Sequence, residues 1–353
     1  MNFDFSEDVK TMREEVRRVL RDRYPRGEVR RAVDAGARFD RDFWRLLGDM
    51  GWLGVAVPER FGGAELGHEA LCMIVEEVGA ALPPVPFMAS VGAAEALLAF
   101  GSEAQCARWL PGLACGETIG CVAPGEPLAS SIAATGGRLT GEKLPVIDGD
   151  IADIAVVMAT DGLYLVELTA PGVARRAIET LDLVRSGIRL TLEDAPAEKL
   201  AGGDAAQLLD RLAVLAAFEA VGGAQAALDM AVGHAQERYA FGRPIGSFQA
   251  IKHKLADVYV ATELARSNAY YGAWALAHEA ALPVAAAAAR LGASEAFTLA
   301  AKENIQVHGG MGFTWESDCH LYYRRARALA VDLGAGWYWR DRLVEQLDRA
   351  EAA

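Results

Sequence analysis

The sequence has little of the chemistry that holds small proteins together covalently or through metals. Its 353 residues include five cysteines, an odd number, and they form neither a CxxC pair nor the Cys/His spacing of a zinc site. These cysteines are Cys72, Cys106, Cys115, Cys121 and Cys319. We therefore expect reduced cysteines and no metal site.

Basic charge is also scarce, since 35 lysines and arginines stand against 48 acidic residues and the formal net charge is −13. This acidic excess argues against nucleic acid or an anionic membrane as a partner. A secretory signal would need a basic segment followed by an apolar one; the first residues lack both, so we expect a cytoplasmic protein. The most apolar stretch, 212–232, is interrupted by Glu219, Gln225 and Asp229, which favours a buried helix over a membrane span.

Apolar residues are plentiful, at 52% of the chain, and can fill two or three domains. Over 1–116 they recur every three or four positions, which predicts an N-terminal all-α domain. The predicted helices cover 7–23, 43–52, 68–81, 89–100 and 102–110, and Pro/Gly loops at 58–63, 83–86 and 111–117 separate them.

After residue 116 the helical periodicity gives way to short runs of β-forming residues, which predict a small middle β domain over 117–199. These runs are 118–123, 145–147, 154–160, 163–168 and 188–192. Over 200–353, four long helical patterns at 204–239, 248–280, 283–308 and 318–350 predict a C-terminal four-helix bundle. The predicted fold class is α+β.

Two glycine-containing segments of the bundle suggest chemistry: ERYAFGRPIGSFQAIKHKLAD over 237–257 and QVHGGMGF over 306–313. Arg238 offers a planar fork of donors that suits a diphosphate. The N–H groups around Gly309 and Gly310 can bind an anion or a ribose oxygen. The structural alternatives are that Arg238 caps a helix end and that the glycines only form turns.

The first segment closely resembles the ERxxFGxxIxxFQxxxHxLA signature of acyl-CoA dehydrogenases, and the second is similar to that family's QxxGGxGF turn. The stretch from Gly51 to Gly63 is also similar to the family's helical domain. The resemblance implies an acyl-CoA dehydrogenase-like fold, FAD as cofactor and an acyl-CoA substrate. The residues that match the family's contacts to the ADP half of FAD are Arg238, Phe241, Phe248, Gln249, Gln306, Gly309 and Gly310. Because these contacts reach a flavin seated mainly in a neighbouring subunit, an oligomer, typically a tetramer, is implied.

The catalytic base departs from the family pattern. Members remove the substrate α-proton with a glutamate while the β-hydride leaves to the flavin. The resemblance places the usual base at Leu333 and a less common one near Leu212, and leucine cannot accept a proton. Asp210 and Glu219 are the carboxylates nearest the second position. Glu219 could have a raised pKa on its apolar helix, although pairing with an arginine or a helix N-terminus is the favoured interpretation.

The β domain departs as well. CVAPGEP at 121–127 only partly resembles the family's TEPxAGSD loop, and LPVI at 144–147 stands where a W-I-T-like segment backs the flavin ring. The base, the ring-cradling loop and the ring-backing aromatic are thus absent together. The residues that match the family's contacts to the FAD of a neighbouring subunit are present.

This pattern resembles one chain of the paired α2β2 acyl-CoA dehydrogenases of bacterial steroid side-chain degradation. The first hypothesis is therefore a partner subunit that contributes FAD contacts while a second acyl-CoA dehydrogenase-type chain supplies the base. A second hypothesis is a self-sufficient homo-oligomer that uses Asp210 or Glu219 as base. A third is a non-catalytic relative that binds a partner without flavin.

Overall fold

The computed structural model describes residues 5–124, 132–278 and 281–352. The chain forms two compact units, each gathered from separate segments. Unit 1 consists of Met1–Asp34, Cys72–Pro83 and Ala213–Ala353, and unit 2 of Ala35–Leu71 and Pro84–Leu212. The predicted domain boundaries at 116/117 and 199/200 were drawn where the sequence pattern changes, and they stay a prediction.

The first part of the chain is helical, as predicted. Its helices are α1 (Glu7–Arg23), α2 (Arg26–Asp34), α3 (Arg41–Asp49), α4 (Gly67–Ala81), α5 (Phe87–Phe100) and α6 (Glu103–Cys115). The Ser6 side chain caps α1 by accepting from the Val9 N–H, and a Ser102/Gln105 capping box opens α6. The predicted loop from Pro111 was wrong, because α6 continues through Pro111 to Cys115 and is capped by Gly116, which has a positive φ.

Two four-stranded sheets lie in unit 2. Their strands are β1 (Gly120–Ala123), β2 (Ala133–Thr135), β3 (Arg138–Ile147), β4 (Ile154–Ala159), β5 (Gly162–Glu167), β6 (Val173–Ala177), β7 (Gly187–Pro196) and β8 (Glu198–Lys199). The strand orders are β1-β4-β5-β8 and β2-β3-β7-β6. All six residues of β4 are buried, which explains why its sequence is a continuous apolar run rather than an alternating one.

The C-terminal part of the chain is helical apart from one hairpin. It comprises α7 (Ala205–Glu237), β9 (Tyr239–Ala240), β10 (Arg243–Pro244), α8 (Gln249–Ala275), α9 (Leu282–His308), α10 (Cys319–Leu329) and α11 (Gly336–Ala352). The single helix predicted over 318–350 was wrong, since two helices occupy it. Leu333 and Gly334 have φ of 56° and 102°, and right-handed helix cannot pass through such residues.

α7 is the most apolar long helix. By length and composition it could cross a membrane, but 83% of its most apolar 18-residue window is buried inside the protein, as in a core helix. Over 5–124, 132–278 and 281–352, no group of three or more His, Cys, Asp or Glu residues could hold a metal ion.

Candidate functional site

The first motif begins where α7 ends. The Arg238 N–H donates to the His234 carbonyl at 2.8 Å, and the Arg238 carbonyl accepts from the Ile245 N–H at 2.8 Å. Between them, β9 and β10 pair through Ala240 and Arg243. The two turn residues, Phe241 and Gly242, have φ of 54° and 80°, as a type I′ hairpin turn requires. Glycine adopts this conformation freely, whereas Phe241 is strained in it.

This turn presents an aromatic side chain to solvent. Phe241 is 96% exposed, and its ring meets Phe248 edge-on at a centroid distance of 6.2 Å. The Arg243 guanidinium lies 4.0 Å from the centroid of the Phe248 ring, a cation–π contact. Phe248 is thus held by its neighbours, while Phe241 remains open to a ligand or another chain.

The second motif begins where α9 ends. Gly309 has φ of 61° and ψ of −139°, a conformation nearly confined to glycine, and a short 3-10 helix runs over Gly309–Phe313. A Cβ on Gly312 would lie 2.5 Å from the Ile305 carbonyl oxygen, so packing excludes a side chain there. A Cβ on Gly310 would meet nothing within 4 Å, and its φ is not positive. Neither packing nor conformation within this chain explains the glycine at 310, whereas a ligand that approaches the backbone closely would.

The two motifs lie side by side in unit 1. The rings of His234 and His308 stack at a centroid distance of 4.1 Å. Burial, reinforced by His308 and Arg238, lowers the pKa of His234. An apolar cluster beneath the motifs joins α7, α8 and α9, and it consists of Ala231, Ala235, Val307, Ile245, Ile251 and Leu255.

Most of the predicted cofactor residues are exposed. Arg238, Gln249, Gln306, Gly309 and Gly310 are all exposed. Among the residues that the structure describes, the Arg238 guanidinium makes no hydrogen bond or ion pair. The alternative in which Arg238 caps a helix end through its side chain is therefore not what the structure has. An exposed cationic fork and an exposed glycine turn, in motifs that meet through His234 and His308, are groups that can bind a diphosphate.

The two candidate bases are both buried, each in its own unit. Glu219 is 1% exposed and accepts from Arg325 Nη1 at 2.7 Å within unit 1. Arg325 is itself buried, so this is the arginine pairing that the sequence favoured for Glu219. Asp210 is 2% exposed and belongs to unit 2. A catalytic role for either stays a prediction.

The loop that carries Leu333 is tightly held although it bears no carboxylate at that position. The Leu333 N–H donates to the Asp332 carboxylate at 3.0 Å, and the Trp339 indole N–H donates to the Leu333 carbonyl at 3.1 Å. Arg290 Nη2 donates to the Asp332 carbonyl at 2.6 Å and also to the Leu329 carbonyl.

The β-domain segments that depart from the family pattern are only partly visible. Residues 125–127 of the loop at 121–127 lie outside the described residues. The segment 144–147 lies in β3, where Leu144 is partly exposed and Val146 is buried.

Sequence reasoning missed a buried charged cluster in unit 2. Glu95, 1% exposed, accepts from Arg211 Nε at 2.6 Å and lies 2.8 Å from His68 Nε2. Burial by itself would raise the pKa of Glu95, but His68 and Arg211 hold it at about 2. Burial would likewise lower the pKa of His68, yet Glu95 raises it. The available signal was one acidic residue inside the otherwise apolar run of α5.

Comparisons with known proteins agree with the motifs. Residues 6–117 match the family model for the acyl-CoA dehydrogenase N-terminal domain, and residues 203–347 match that for the acyl-CoA dehydrogenase C-terminal domain. The chain is 38% identical over 327 residues to acyl-CoA dehydrogenase IpdE2 of Mycobacterium tuberculosis, covering 92% of each chain. It is 36% identical to IpdE2 of Mycolicibacterium smegmatis, covering 98% of this chain and 99% of that one.

Two solved structures are similar over nearly their whole length. A variant of the Tcur3481-Tcur3483 steroid ACAD has a TM-score of 0.91 at 30% identity, covering 98% of this chain and 99% of that chain. The ChsE4-ChsE5 complex from Mycobacterium tuberculosis has a TM-score of 0.90 at 30% identity, covering 99% of each. These similarities confirm the predicted α+β fold of helical domain, β domain and helical bundle.

Proposed function

Because this chain belongs to the acyl-CoA dehydrogenase family, we propose that it is one of two unlike chains of an FAD-dependent enzyme that introduces an α,β double bond into an acyl-CoA thioester. This chain contributes contacts to the ADP half of FAD, and the other chain supplies the base. A tetramer of two such pairs is the assembly that the proposal implies.

The observation that carries the proposal is a contrast within unit 1. The cofactor motifs expose Arg238, Gln249, Gln306 and the glycine backbone, whereas Leu333 stands where the resemblance to the family places the usual base. A leucine side chain cannot remove an α-proton. Loss of the base with retention of the cofactor surface is understandable if the two tasks belong to different chains.

FAD fits the residues that are present. Arg238 has donors free for the diphosphate, Gln249 and Gln306 offer exposed amides, and the backbone at Gly310 is open to close approach. When bound, FAD would supply the hydride acceptor for the oxidation. The residues of this chain would hold and orient its ADP half.

The self-sufficient alternative is less well supported, because it needs Glu219 or Asp210 as base. Glu219 is buried in an ion pair with Arg325, and removal of a substrate proton by a carboxylate requires access and a free lone pair. The non-catalytic alternative, a relative that binds a partner without flavin, does not explain why Arg238 is exposed or why position 310 is a glycine.

A bulky steroid-derived or branched acyl group is the substrate that we propose. The support comes from relatives alone, because one similar structure is described as a steroid ACAD. No residue described above selects the acyl group.

The test is the flavin content of this chain purified alone and co-expressed with a candidate second acyl-CoA dehydrogenase-type chain. We expect little FAD in the chain alone and about one FAD per pair in the complex. One FAD per chain in the isolated protein, with acyl-CoA oxidation abolished by Asp210→Asn or Glu219→Gln in a folded variant, would instead establish the self-sufficient enzyme. An assembled complex whose FAD content is unchanged by Arg238→Ala would rule out this chain as a cofactor-binding partner.

A further inference from the structure

A pair of stacked histidines joins the two cofactor motifs within unit 1. His234 lies near the end of α7, one helical turn before Arg238, and His308 ends α9 and directly precedes Gly309. The centroids of their rings are 4.1 Å apart, and the ring planes are inclined by 25°. Both side chains are partly buried. Neither histidine was among the residues that the sequence assigned to the cofactor, although each adjoins one that was.

The ring nitrogens of this pair are open to protons. His308 Nδ1 lies 2.8 Å from the Asn304 carbonyl oxygen, and because a carbonyl only accepts, Nδ1 carries the hydrogen of the neutral ring. The nitrogen that remains to take up a proton is Nε2. Among the described residues, His308 Nε2 and both ring nitrogens of His234 have no hydrogen-bond partner, and none of the three is sealed from solvent. A protonated ring in this pair would therefore have a free N–H to donate.

The charges that act on His234 are mostly positive. Burial lowers its pKa most, and the charges of His308 and Arg238 lower it further, whereas the Glu237 carboxylate raises it. The free chain therefore disfavours a proton on His234, and an anion beside Arg238 would reverse the effect of these neighbouring positive charges.

The third helix at this place adds little charge to the pair. α8 packs on the apolar cluster beneath the motifs through Ile251 and Leu255. Its Lys254 donates to Glu303 of α9, so these two charges offset each other. The other ionisable side chains of this stretch of α8, Lys252 and His253, are exposed.

We infer that His234 and His308 form a proton-linked contact of the cofactor surface, and that the pair takes up one proton when the FAD diphosphate binds beside Arg238. This inference rests on the proposed function. Two protonated rings in one stack repel each other, so the pair accepts one proton more readily than two and titrates as a unit. The protonated ring adds an N–H donor and a positive charge to the contacts that Arg238 makes with the diphosphate.

The consequence is a cofactor affinity that depends on pH. Proton uptake and FAD binding must strengthen each other by the same factor. FAD therefore binds most tightly where the pair is already protonated, and its affinity falls as the pH rises through the pKa of His234 in the complex, which the diphosphate raises. The Arg238 guanidinium keeps its charge throughout this range, so the change with pH belongs to the histidines.

The test is fluorescence titration with FAD of the apo-complex of this chain and the second chain. We expect the dissociation constant to rise about three- to tenfold between about pH 5.5 and about pH 8, since a pKa shift of one unit corresponds to tenfold in affinity. Calorimetry near pH 6.5, the ordinary pKa of histidine, in two buffers of different ionisation enthalpy should show net proton uptake on binding. An affinity that does not change with pH, or no proton uptake, would overturn this inference and leave the proposed function standing. A complex that binds no FAD at any pH would overturn both.

Two variants assign the pH dependence to the pair. His234→Phe/His308→Gln removes both titrating rings, so its FAD affinity should vary by less than about twofold over the same pH range. His234→Phe alone keeps an aromatic ring in the stack and should lose part of the wild-type dependence. His278→Gln is the control, because His278 is exposed and follows α8 outside both motifs, and it should keep the full dependence. The full dependence in both test variants would contradict the role of the pair.

Discussion

At the residue scale, Arg238 has the most direct part in the proposed cofactor surface. Its side chain is exposed and, among the described residues, makes no hydrogen bond or ion pair whose loss would destabilise this chain. In the complex with a second chain, Arg238→Ala should weaken FAD binding about 10- to 100-fold, the usual effect of losing charge-assisted hydrogen bonds. Fluorescence titration of the apo-complex with FAD measures this change.

Arg21→Ala is the matched control, since Arg21 is an exposed arginine in the last turn of α1. It should leave FAD affinity unchanged. Urea unfolding of the isolated Arg238→Ala chain should also match the wild type, because exposed substitutions of this kind usually change stability by under about 0.5 kcal/mol. Equal FAD affinity in both variants would contradict the role of Arg238.

Glu219 and Arg325 form a pair whose role is separable from catalysis. Both are buried, so Glu219→Gln removes the negative charge that faces the Arg325 guanidinium and should lower the free energy of unfolding by about 3–5 kcal/mol. Replacing both residues by leucine should recover most of this loss. Urea unfolding measures both variants, and Asp229→Asn on the exposed side of α7 serves as control. Full stability of Glu219→Gln together with loss of activity would make Glu219 a catalytic candidate.

At the element scale, glycines bring α4 and α7 into backbone contact within unit 1. A Cβ on Gly222 would lie 1.9 Å from the Glu76 carbonyl oxygen, and a Cβ on Gly79 would lie 2.3 Å from the Glu219 carbonyl oxygen. Two helices can approach this closely only where side chains are missing at the crossing.

Gly222→Ala should therefore destabilise the protein. The alanine gains about 1 kcal/mol of helix propensity, but overpacking against backbone costs about 1–3 kcal/mol or more. Gly233→Ala on the same helix is the control, because a Cβ there meets nothing within 4 Å, and it should be neutral or stabilising. Chemical denaturation of both variants measures the difference, and a stabilised Gly222→Ala would show that the helices can separate.

The cluster of His68, Glu95 and Arg211 joins α4, α5 and the start of α7 within unit 2, and its contribution should depend on pH. The pKa of Glu95 is depressed to about 2, so its stabilisation is present above the ordinary carboxyl pKa of about 4.3 and is lost as the pH falls toward 2. The pKa of His68 is raised, so its stabilisation is full below about 6.5 and is lost as the pH rises through the raised value.

His68→Gln should accordingly lower the free energy of unfolding most near pH 5.5, by about 1–2 kcal/mol, and less at pH 9. Urea unfolding at the two pH values measures this. His253→Gln, at an exposed histidine of α8, should show no such difference. A loss of equal size at both pH values would mean that His68 acts through packing alone.

The elements that the sequence predicted correctly are those with strong periodicity. α1 shows its apolar residues at steps of three and four, and its predicted limits match the structure. α2 was missed because it is short and buries few apolar residues, Val29 among them. The exposed edge strand β6, with the sequence VARRA, was missed because it has no apolar alternation to detect.

The cofactor residues could be predicted because they are contiguous in two motifs. The cluster around Glu95 could not, because its members are 27 and 116 positions apart from Glu95 and only the tertiary fold brings them together. The break between α10 and α11 was missed because leucine seldom adopts a positive φ. The sequence at Leu333 therefore gave no sign that a helix ends there.

At the scale of the whole molecule, unit 1 exposes apolar side chains around its cofactor motifs. Tyr239, Phe241, Met311 and Phe313 are each more than half exposed. Exposed aromatic residues near one site are typical of interface anchors. We expect them to contact a second chain in the proposed complex.

Phe241→Ser should weaken assembly with the second chain about tenfold or more, because an interface aromatic that is truncated usually costs at least about 1–2 kcal/mol. Sedimentation velocity over a concentration series measures the dissociation constant. Tyr259→Ser, at an exposed aromatic of α8 outside the motifs, is the comparison. Unchanged assembly in Phe241→Ser would show that the hairpin contacts cofactor only or remains in solvent.

The segmented construction of unit 1 has a consequence for synthesis on the ribosome. Its first segment ends at Asp34, and its last begins at Ala213. Phe5, just before α1, packs edge-on against Tyr270 of α8 at 4.5 Å, so the amino-terminal helix cannot complete its native contacts until α8 has emerged. Long-range contacts of this kind slow folding. A nascent chain that stalls before α8 should therefore present an unprotected first helix to chaperones and proteases.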